Sequence, residues 1–135
     1  DPKKNVIAIS ADHQSTLFSE AASASFHADG WQVYSLGDMS SSIDVLFDLD
    51  LQKFLTKVWK PGTGIMVIVV FSSTEESMKF FAESVNSIKL KSRRSLYLAI
   101  CGDMKKNAEI EADLIDEDLE AILQWSQTTF ESSVS

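Results

Sequence analysis

The chain has 135 residues, of which 44% are hydrophobic, and 20 acidic against 12 basic side chains give it a net charge of −8. This length and composition fit one globular domain. The negative charge disfavours binding to nucleic acid or to anionic lipid through a basic face. The sequence contains no apolar run of the roughly 20 residues that span a bilayer and no signal-peptide pattern. We therefore expect a cytoplasmic protein, or a domain excised from a larger regulatory protein, that contacts neither nucleic acid nor membrane directly.

Short apolar runs, which predict strands, alternate along the chain with segments of helical spacing. The predicted strands are residues 5–10, 31–37, 64–71, 95–102 and 111–116. Helices are predicted after the first, second, third and last of these strands. The predicted inner faces of the first two helices are Leu17, Phe18, Ala21, Ala22, Ser25 and Phe26, and then Ile43, Leu46, Phe47, Leu51, Phe54, Leu55 and Val58. Those of the last two are Met78, Phe81, Ala82, Val85 and Ile88, and then Leu119, Ile122, Leu123 and Phe130.

This alternation predicts an α/β fold, with a parallel sheet of about five strands and helices on both faces. In such sheets ligands bind at the carboxyl ends of the strands, near the point where the strand order reverses. The connections to inspect for a functional site are therefore residues 11–16, 37–42, 71–76 and 101–106.

The residues in these connections argue against catalysis. A phosphorylated receiver domain needs an acidic pair after the first strand, but Asp12 has no second acid beside it, and the third strand ends in Phe71-Ser72 without a carboxylate. The first loop has no glycine to cradle a phosphate. Cys101 and His13 follow strands that can neighbour each other, but no third residue is placed to orient a base. We expect no enzyme and no catalytic residue.

The stretch "DGWQVYSLG" (residues 29–37), which follows a loop with Asp12 and His13, resembles the vitamin B12-binding domain, a flavodoxin-like module. Three later stretches occupy the places of the family's Ser/Thr-rich loop, of its strand ending in Gly-Gly and of its closing segment. They are "VVFSSTEESM", "LYLAICGD" and "EADLIDEDLEAILQW". The resemblance covers most of the chain and implies one flavodoxin-like three-layer domain over residues 1–135.

The departures from this family are specific. In an alignment without gaps, the family's cobalt-ligating histidine falls on Ser15, its neighbouring Asp on His13 and its glycine on Phe18. Of the Gly-Gly pair beside which the cobalamin nucleotide tail passes, only Gly102 remains. The sequence better resembles a branch that has lost the cobalt motif, the SCHIC domains (sensor containing heme instead of cobalamin). This resemblance implies a regulatory domain that binds heme, or cobalamin weakly, or no ligand, and that signals to a regulatory protein or an adjacent sensor domain.

The resemblance and the loop positions together give the candidate site. The candidate cofactor-binding residues are Asp12, His13, Ser15, Ser72, Ser73, Thr74, Cys101 and Gly102. His13 is also the candidate metal ligand, because a neutral imidazole can ligate iron, with Cys101 and Met39 as weaker choices.

Simpler interpretations stand beside these. His13 can be a solvated loop residue bonded to Asp12, residues 72–74 can be helix caps, and His27 suits the end of the first helix. The acidic segment 109–120 can be a solvated face or a docking surface for a basic partner. The alternative function is a ligand-free, pseudo-receiver-like scaffold for protein interactions.

Overall fold

The structure, a computed structural model, describes residues 1–44, 46–60, 62–92, 94–103 and 109–135. The strands in this part of the chain are β1 (Lys3–Ser10), β2 (Gln32–Asp38), β3 (Gly64–Phe71), β4 (Leu96–Cys101) and β5 (Leu114–Asp116). The α-helices are α1 (Thr16–Ala28), α2 (Phe47–Val58), α3 (Glu75–Lys91) and α4 (Leu119–Val134). Short 3-10 turns at His13–Ser15 and Ser40–Ser42 follow β1 and β2.

The five strands form one parallel sheet in the order β2-β1-β3-β4-β5. This is the flavodoxin-like order, so the predicted fold class is confirmed. The order reverses between β1 and β3, which pair from Lys3 opposite Gly64 to Ser10 opposite Phe71. The carboxyl ends of β1 and β3 are therefore neighbours, and the chain leaving each of them lies at the switch point of the sheet.

Helices cover both faces of the sheet because β1 and β3 are apolar on both sides. One core cluster joins Ile7 and Ile68 of the sheet to α2 and α3, and the other joins Val6 and Val67 to α1 and α4. Alternate residues of the same strand thus enter opposite cores. A central strand of this kind must be apolar at every position, which is why residues 64–71 were recognisable as a buried strand.

The predicted inner face of α1 is wrong for its first turns. Leu17 is 79% exposed and Phe18 is 42% exposed, and Ala21 also faces solvent. The buried residues of this helix are Ser19, Ala22 and Phe26. Small residues in the first turns allow α1 to approach the sheet closely, and this orientation turns the two large side chains outward.

The start of α2 also differs from the prediction. Ile43 and Leu46 lie before the first helical residue and are exposed, whereas Phe47, Leu51 and Leu55 are buried as predicted. The helix begins late because the Asp44 carboxylate accepts a hydrogen bond of 2.8 Å from the backbone N–H of Leu46, which holds the chain in a turn.

The predicted inner faces of α3 and α4 are confirmed. All five predicted residues of α3 are buried, and in α4 Ile122 is buried with the other three packed against the same core. Gly30 ends α1 as predicted, with φ of 87° and its N–H donating to His27 O. This left-handed conformation suits glycine because it has no Cβ.

β2 is an edge strand with one bulge. Its pairing with β1 shifts by one residue, because Ala8 lies opposite Ser35 while Ile9 lies opposite Gly37. Leu36 is therefore the extra residue on β2. The shift brings Asp38 opposite Ser10, the last residue of β1.

Candidate functional site

The Asp12 carboxylate joins the two connections at the switch point. Its Oδ1 accepts hydrogen bonds from the N–H and the hydroxyl of Ser15, at 3.0 and 2.8 Å. Its Oδ2 accepts one from the N–H of Ser73, at 2.8 Å, and a longer one from the Ser77 hydroxyl, at 3.4 Å. Partial burial acts to raise the pKa of Asp12, but the hydrogen bonds from Ser73 and Ser15 outweigh it and hold the pKa below its usual value. The ionised Asp12 carboxylate therefore connects the loop after β1 to the loop after β3, although Asp12 and Ser73 are 61 residues apart in sequence.

The hydroxyl groups of the β3–α3 connection bond mainly to one another. Thr74 caps α3, since its Oγ1 accepts from the N–H of Ser77 at 3.2 Å. The Ser72 hydroxyl donates to Thr74 O at 2.9 Å and shares a hydrogen bond of 2.7 Å with that of Ser77. Ser73 differs because it is exposed and its hydroxyl donates to Gln14 Oε1 at 3.0 Å. The helix-cap interpretation is thus confirmed for Thr74, whereas Ser73 faces the solvent side of the site.

A cavity of about 340 Å³ opens at the carboxyl ends of β3 and β4, beside the start of α1. Its apolar wall includes Phe18 and Phe71, whose ring centroids lie 5.6 Å apart. The cavity is lined by Gln14, Ser15, Phe18, Phe71, Ser72, Ser73, Cys101, Gly102, Asp103 and Glu117. Five of the eight predicted site residues thus line one cavity, although residues 104–106 of the last predicted loop lie outside the described residues.

Cys101 and Gly102 both line this cavity. The thiol determines the chemistry available there, and the glycine determines how closely the backbone is packed. Burial, with the nearby carboxylates of Asp116, Asp118 and Glu117, raises the pKa of the Cys101 thiol to about 12. The thiol is therefore protonated at neutral pH and a poor metal ligand. At Gly102 a Cβ would collide with the end of the Met78 side chain and meet Ser72 O at 3.0 Å. A side chain at this position would therefore require both Met78 and the backbone at Ser72 to move.

His13 lies apart from this cavity, toward β2. Its side chain is 93% exposed, and its Nδ1 lies 3.6 Å from Asp38 Oδ2. Hydrogen bonding from Ser40 chiefly, with a smaller contribution from His13, lowers the pKa of Asp38. The expected hydrogen bond between His13 and Asp12 is not the one formed, because Asp12 points to Ser15 and Ser73 and the partner of His13 is Asp38. Met39, the weaker ligand choice, is half-buried and packs against the core.

Sequence reasoning missed the roles of Ser77 and Gln14. Ser77 is three residues after the cap Thr74, a spacing that marks the start of a helix, but its bond to Asp12 comes only from the fold. Among the described residues, no group of three His, Cys, Asp or Glu side chains is arranged to hold a metal ion. Nor does that part of the chain include a helix long and apolar enough to cross a membrane.

Comparison with known proteins gives a likeness in fold. No protein-family model and no curated protein sequence matches the chain. Among solved structures, the monomethylamine corrinoid protein of Methanosarcina barkeri is similar over 95% of this chain, with a TM-score of 0.62 and 16% sequence identity. The chain spans 57% of that protein's length. The likeness confirms the flavodoxin-like architecture predicted from the resemblance to B12-binding domains.

Proposed function

We propose that this domain is a regulatory module that binds a tetrapyrrole, heme in preference to cobalamin, at the carboxyl edge of its sheet. The observation that carries the proposal is the exposed imidazole of His13 at the switch point, on the same edge of the sheet as a cavity with an aromatic wall. Its likeness in fold to a corrinoid protein supports the same class of ligand. The proposed relationship to SCHIC domains rests on the sequence, in which Ser15 occupies the place of the family's cobalt-ligating histidine.

The residues that would hold a macrocycle are His13, after β1, and Leu17 and Phe18, in the first turn of α1. His13 would supply the nitrogen ligand to the metal, since an exposed neutral imidazole has an available lone pair. The exposed side chains of Leu17 and Phe18, in the first turn of α1, would cover part of an apolar ring face. When bound, heme would supply an iron centre that responds to redox state or to a small gaseous ligand.

The same residues fit the nucleotide tail of cobalamin poorly. Phe18 lies against Phe71 at the mouth of the cavity, so an inserted tail has to displace the Phe18 ring. The cavity of about 340 Å³ is also near the lower limit of ligand pockets, roughly 300–1,000 Å³. We therefore expect cobalamin to bind weakly at most.

Asp12 offers a route from ligand to signal. It is directly followed by His13 and bonds to Ser73 and Ser77 at the start of α3. A ligand that binds better to one arrangement of the loop after β1 would shift the population toward that arrangement. The hydrogen bonds between Asp12 and the loop after β3 would change with it. The α3 start, or an adjacent sensor or regulatory partner in contact with it, would report the change. We expect no substrate turnover, and the protonated thiol of Cys101 is in keeping with that.

The direct test is to titrate hemin and hydroxocobalamin separately into the purified chain while the visible spectrum is recorded. We expect a saturable shift of the heme Soret band that is lost in His13→Ala. His27→Ala is the matched control, because His27 is the other histidine, is exposed and lies at the far end of α1. No saturable shift with either ligand would refute the proposal. A shift that survives His13→Ala would refute the assignment of the metal ligand.

Phe18→Ala tests the preference between the two ligands. Removing the ring should open the mouth of the cavity and strengthen cobalamin binding, while heme binding changes little or weakens. Leu90→Ala is the control because it removes an exposed apolar side chain of α3 that does not line the cavity. Unchanged cobalamin binding in Phe18→Ala would contradict the role given to this ring.

A ligand-free scaffold is the second candidate function. It is favoured by the internal bonding of the Ser15, Ser72 and Thr74 hydroxyls, which a ligand would otherwise use. Failure of both titrations would favour this candidate.

A further inference from the structure

Large apolar side chains that face solvent are concentrated after β1 and β2. Among the described residues, those more than about two-fifths exposed are Leu17, Phe18, Ile43, Leu46, Leu49, Leu90 and Val134. Isolated exposed apolar side chains are ordinary, whereas grouped ones mark interaction surfaces. Three of them, Ile43, Leu46 and Leu49, occur within seven residues and are 43%, 56% and 55% exposed. We call these three residues the α2 patch.

The α2 patch exists because the inward side of this segment is already filled. Phe47, Leu51 and Leu55 pack into the core at helical spacing. Leu46 is the N-cap residue of α2 and Leu49 lies in its first turn, so these two side chains, three residues apart, are neighbours at the start of the helix. The segment thus carries apolar residues on two sides. One side packs into the core, and the other faces solvent.

The residues around the α2 patch are mainly acidic, and the nearest basic side chain in sequence is the exposed Lys53, one helical turn after Leu49. Between Asn5 and Gln52 the sequence has no lysine or arginine, and its seven acidic residues are Asp12, Glu20, Asp29, Asp38, Asp44, Asp48 and Asp50. Of these, Asp44, Asp48 and Asp50 alternate with the patch residues, and the last two lie in the first turn of α2. An apolar stripe interrupted by carboxylates therefore faces solvent here.

This charge selects among the molecules that can cover an apolar patch. A second copy of the chain would bring the same carboxylates against one another, and an anionic bilayer would be repelled in the same way. A basic partner is attracted, and its lysine or arginine side chains can pair with the carboxylates as its apolar side chains cover the leucines. The three-residue spacing of the patch matches the apolar stripe of an amphipathic helix.

We propose that the α2 patch is a docking surface for a basic amphipathic helix of a partner protein. None of its residues lines the cavity at the ends of β3 and β4. The proposal is therefore independent of any ligand at that cavity. It places the partner-binding surface of the domain at the connection between β2 and α2.

A designed peptide tests the surface without knowledge of the natural partner. The probe is a fluorescein-labelled peptide that forms an amphipathic helix with leucine on one face and lysine on the other. Its binding to the 135-residue chain is followed by fluorescence anisotropy at an ionic strength of about 0.15 M. A peptide of the same composition with its periodicity scrambled is the control. We expect the helical peptide to bind more tightly than the scrambled one.

Two sets of variants separate the apolar and the charged contributions. Leu46→Ser with Leu49→Ser should weaken binding of the helical peptide by about tenfold or more, since anchors at the centre of an interface dominate affinity. Asp48→Asn with Asp50→Asn should weaken it less and reduce its dependence on salt. Leu90→Ser is the matched control, because Leu90 is exposed at the far end of α3, and it should change nothing.

Several outcomes would overturn the proposal. They are equal binding of the two peptides, no binding of either, and equal effects of Leu90→Ser and the Leu46/Leu49 variant. Light scattering that shows a dimer lost in the Leu46/Leu49 variant would reassign the α2 patch to contact between copies. Co-sedimentation with phosphatidylserine vesicles, lost in the same variant, would reassign it to membrane. Circular dichroism of each variant checks that it is folded.

Discussion

α3 and the start of α1 lie on opposite faces of the same sheet and use their apolar residues in opposite ways. In α3 the predicted inner-face residues all enter the core, including Phe81 and Val85, and Leu90 near the end of the helix is exposed. In the first turns of α1 the core receives Ser19, while Leu17 and Phe18 face outward. The comparison teaches that the inner-face residues of α3 are explained by folding alone. The exposed apolar residues at the start of α1 are not, and they lie at the edge where we propose that a ligand binds.

The largest change in stability is expected for truncation of a buried residue of α3, Phe81→Ala. Leu17→Ala, at the start of α1, is the matched truncation of an exposed residue. Phe81→Ala should lower the free energy of unfolding by about 3–5 kcal/mol, because the ring is fully buried against Phe47 and Phe80. Leu17→Ala should change it by less than about 0.5 kcal/mol. Urea denaturation of both variants measures the difference. A large loss in Leu17→Ala would mean that α1 uses its outer face for stability.

An intermediate effect is expected at Asp12. Asp12→Asn should lower the free energy of unfolding at neutral pH by about 1–2 kcal/mol, because the amide replaces an acceptor of several hydrogen bonds. Since the folded pKa lies below the ordinary value of 3.8, the carboxylate stabilises the protein above about that pH. The stabilisation is lost as the pH falls through the folded pKa.

The pH dependence of this difference is the sharper measurement. The free energies of unfolding of the original chain and of Asp12→Asn should converge in acid. Glu20→Gln is the control and should show no such convergence, because Glu20 is an exposed residue of α1. A difference that stays constant to low pH would show that shape rather than charge is what Asp12 contributes.

The smallest effect is expected at Ser19, and it should be a gain. Among the described residues, the Ser19 hydroxyl is the buried side-chain group that has no hydrogen-bond partner. Ser19→Ala should therefore raise the free energy of unfolding by about 0.5–1 kcal/mol. Ser126→Ala is the matched control, since Ser126 is an equally buried helical serine whose hydroxyl donates to Ile122 O at 2.8 Å. Thermal unfolding measures the change in stability of both variants. An equal increase in the two would show that the effect comes from the helix propensity of alanine and not from the unpaired hydroxyl.

The elements that could be predicted from the sequence are those whose apolar residues are compatible with only one choice of buried residues. Residues 64–71 are apolar throughout and follow the sequence Pro61-Gly62-Thr63, so both ends of β3 were predicted correctly. The first helix allows two choices, because Ala22 and Phe26 belong both to the stripe with Leu17 and Phe18 and to the stripe with Ser15 and Ser19. Hydrophobicity favours the first stripe. Close packing against the sheet favours the second, and packing is not visible in a single sequence.

The same limit applies to the candidate site. The topological rule named connections that the fold brings to one edge of the sheet, because the alternation of strands and helices predicts a parallel sheet whose strands end at the same edge. It did not reveal that Asp12 bonds to Ser73 or that His13 lies beside Asp38, since both pairs join residues far apart in sequence. Adjacent residues such as Asp12 and His13 invite a local pairing that the backbone here does not allow.

The bulge at Leu36 has a consequence for the behaviour of the domain at high concentration. β2 is one of the two edge strands, and an unpaired edge is where a second chain can add a strand. Because the extra residue interrupts the regular spacing of backbone groups near the end of β2, an incoming strand can pair continuously with only part of it. The other edge, β5, is three residues long. Both margins of the sheet therefore offer poor templates for aggregation.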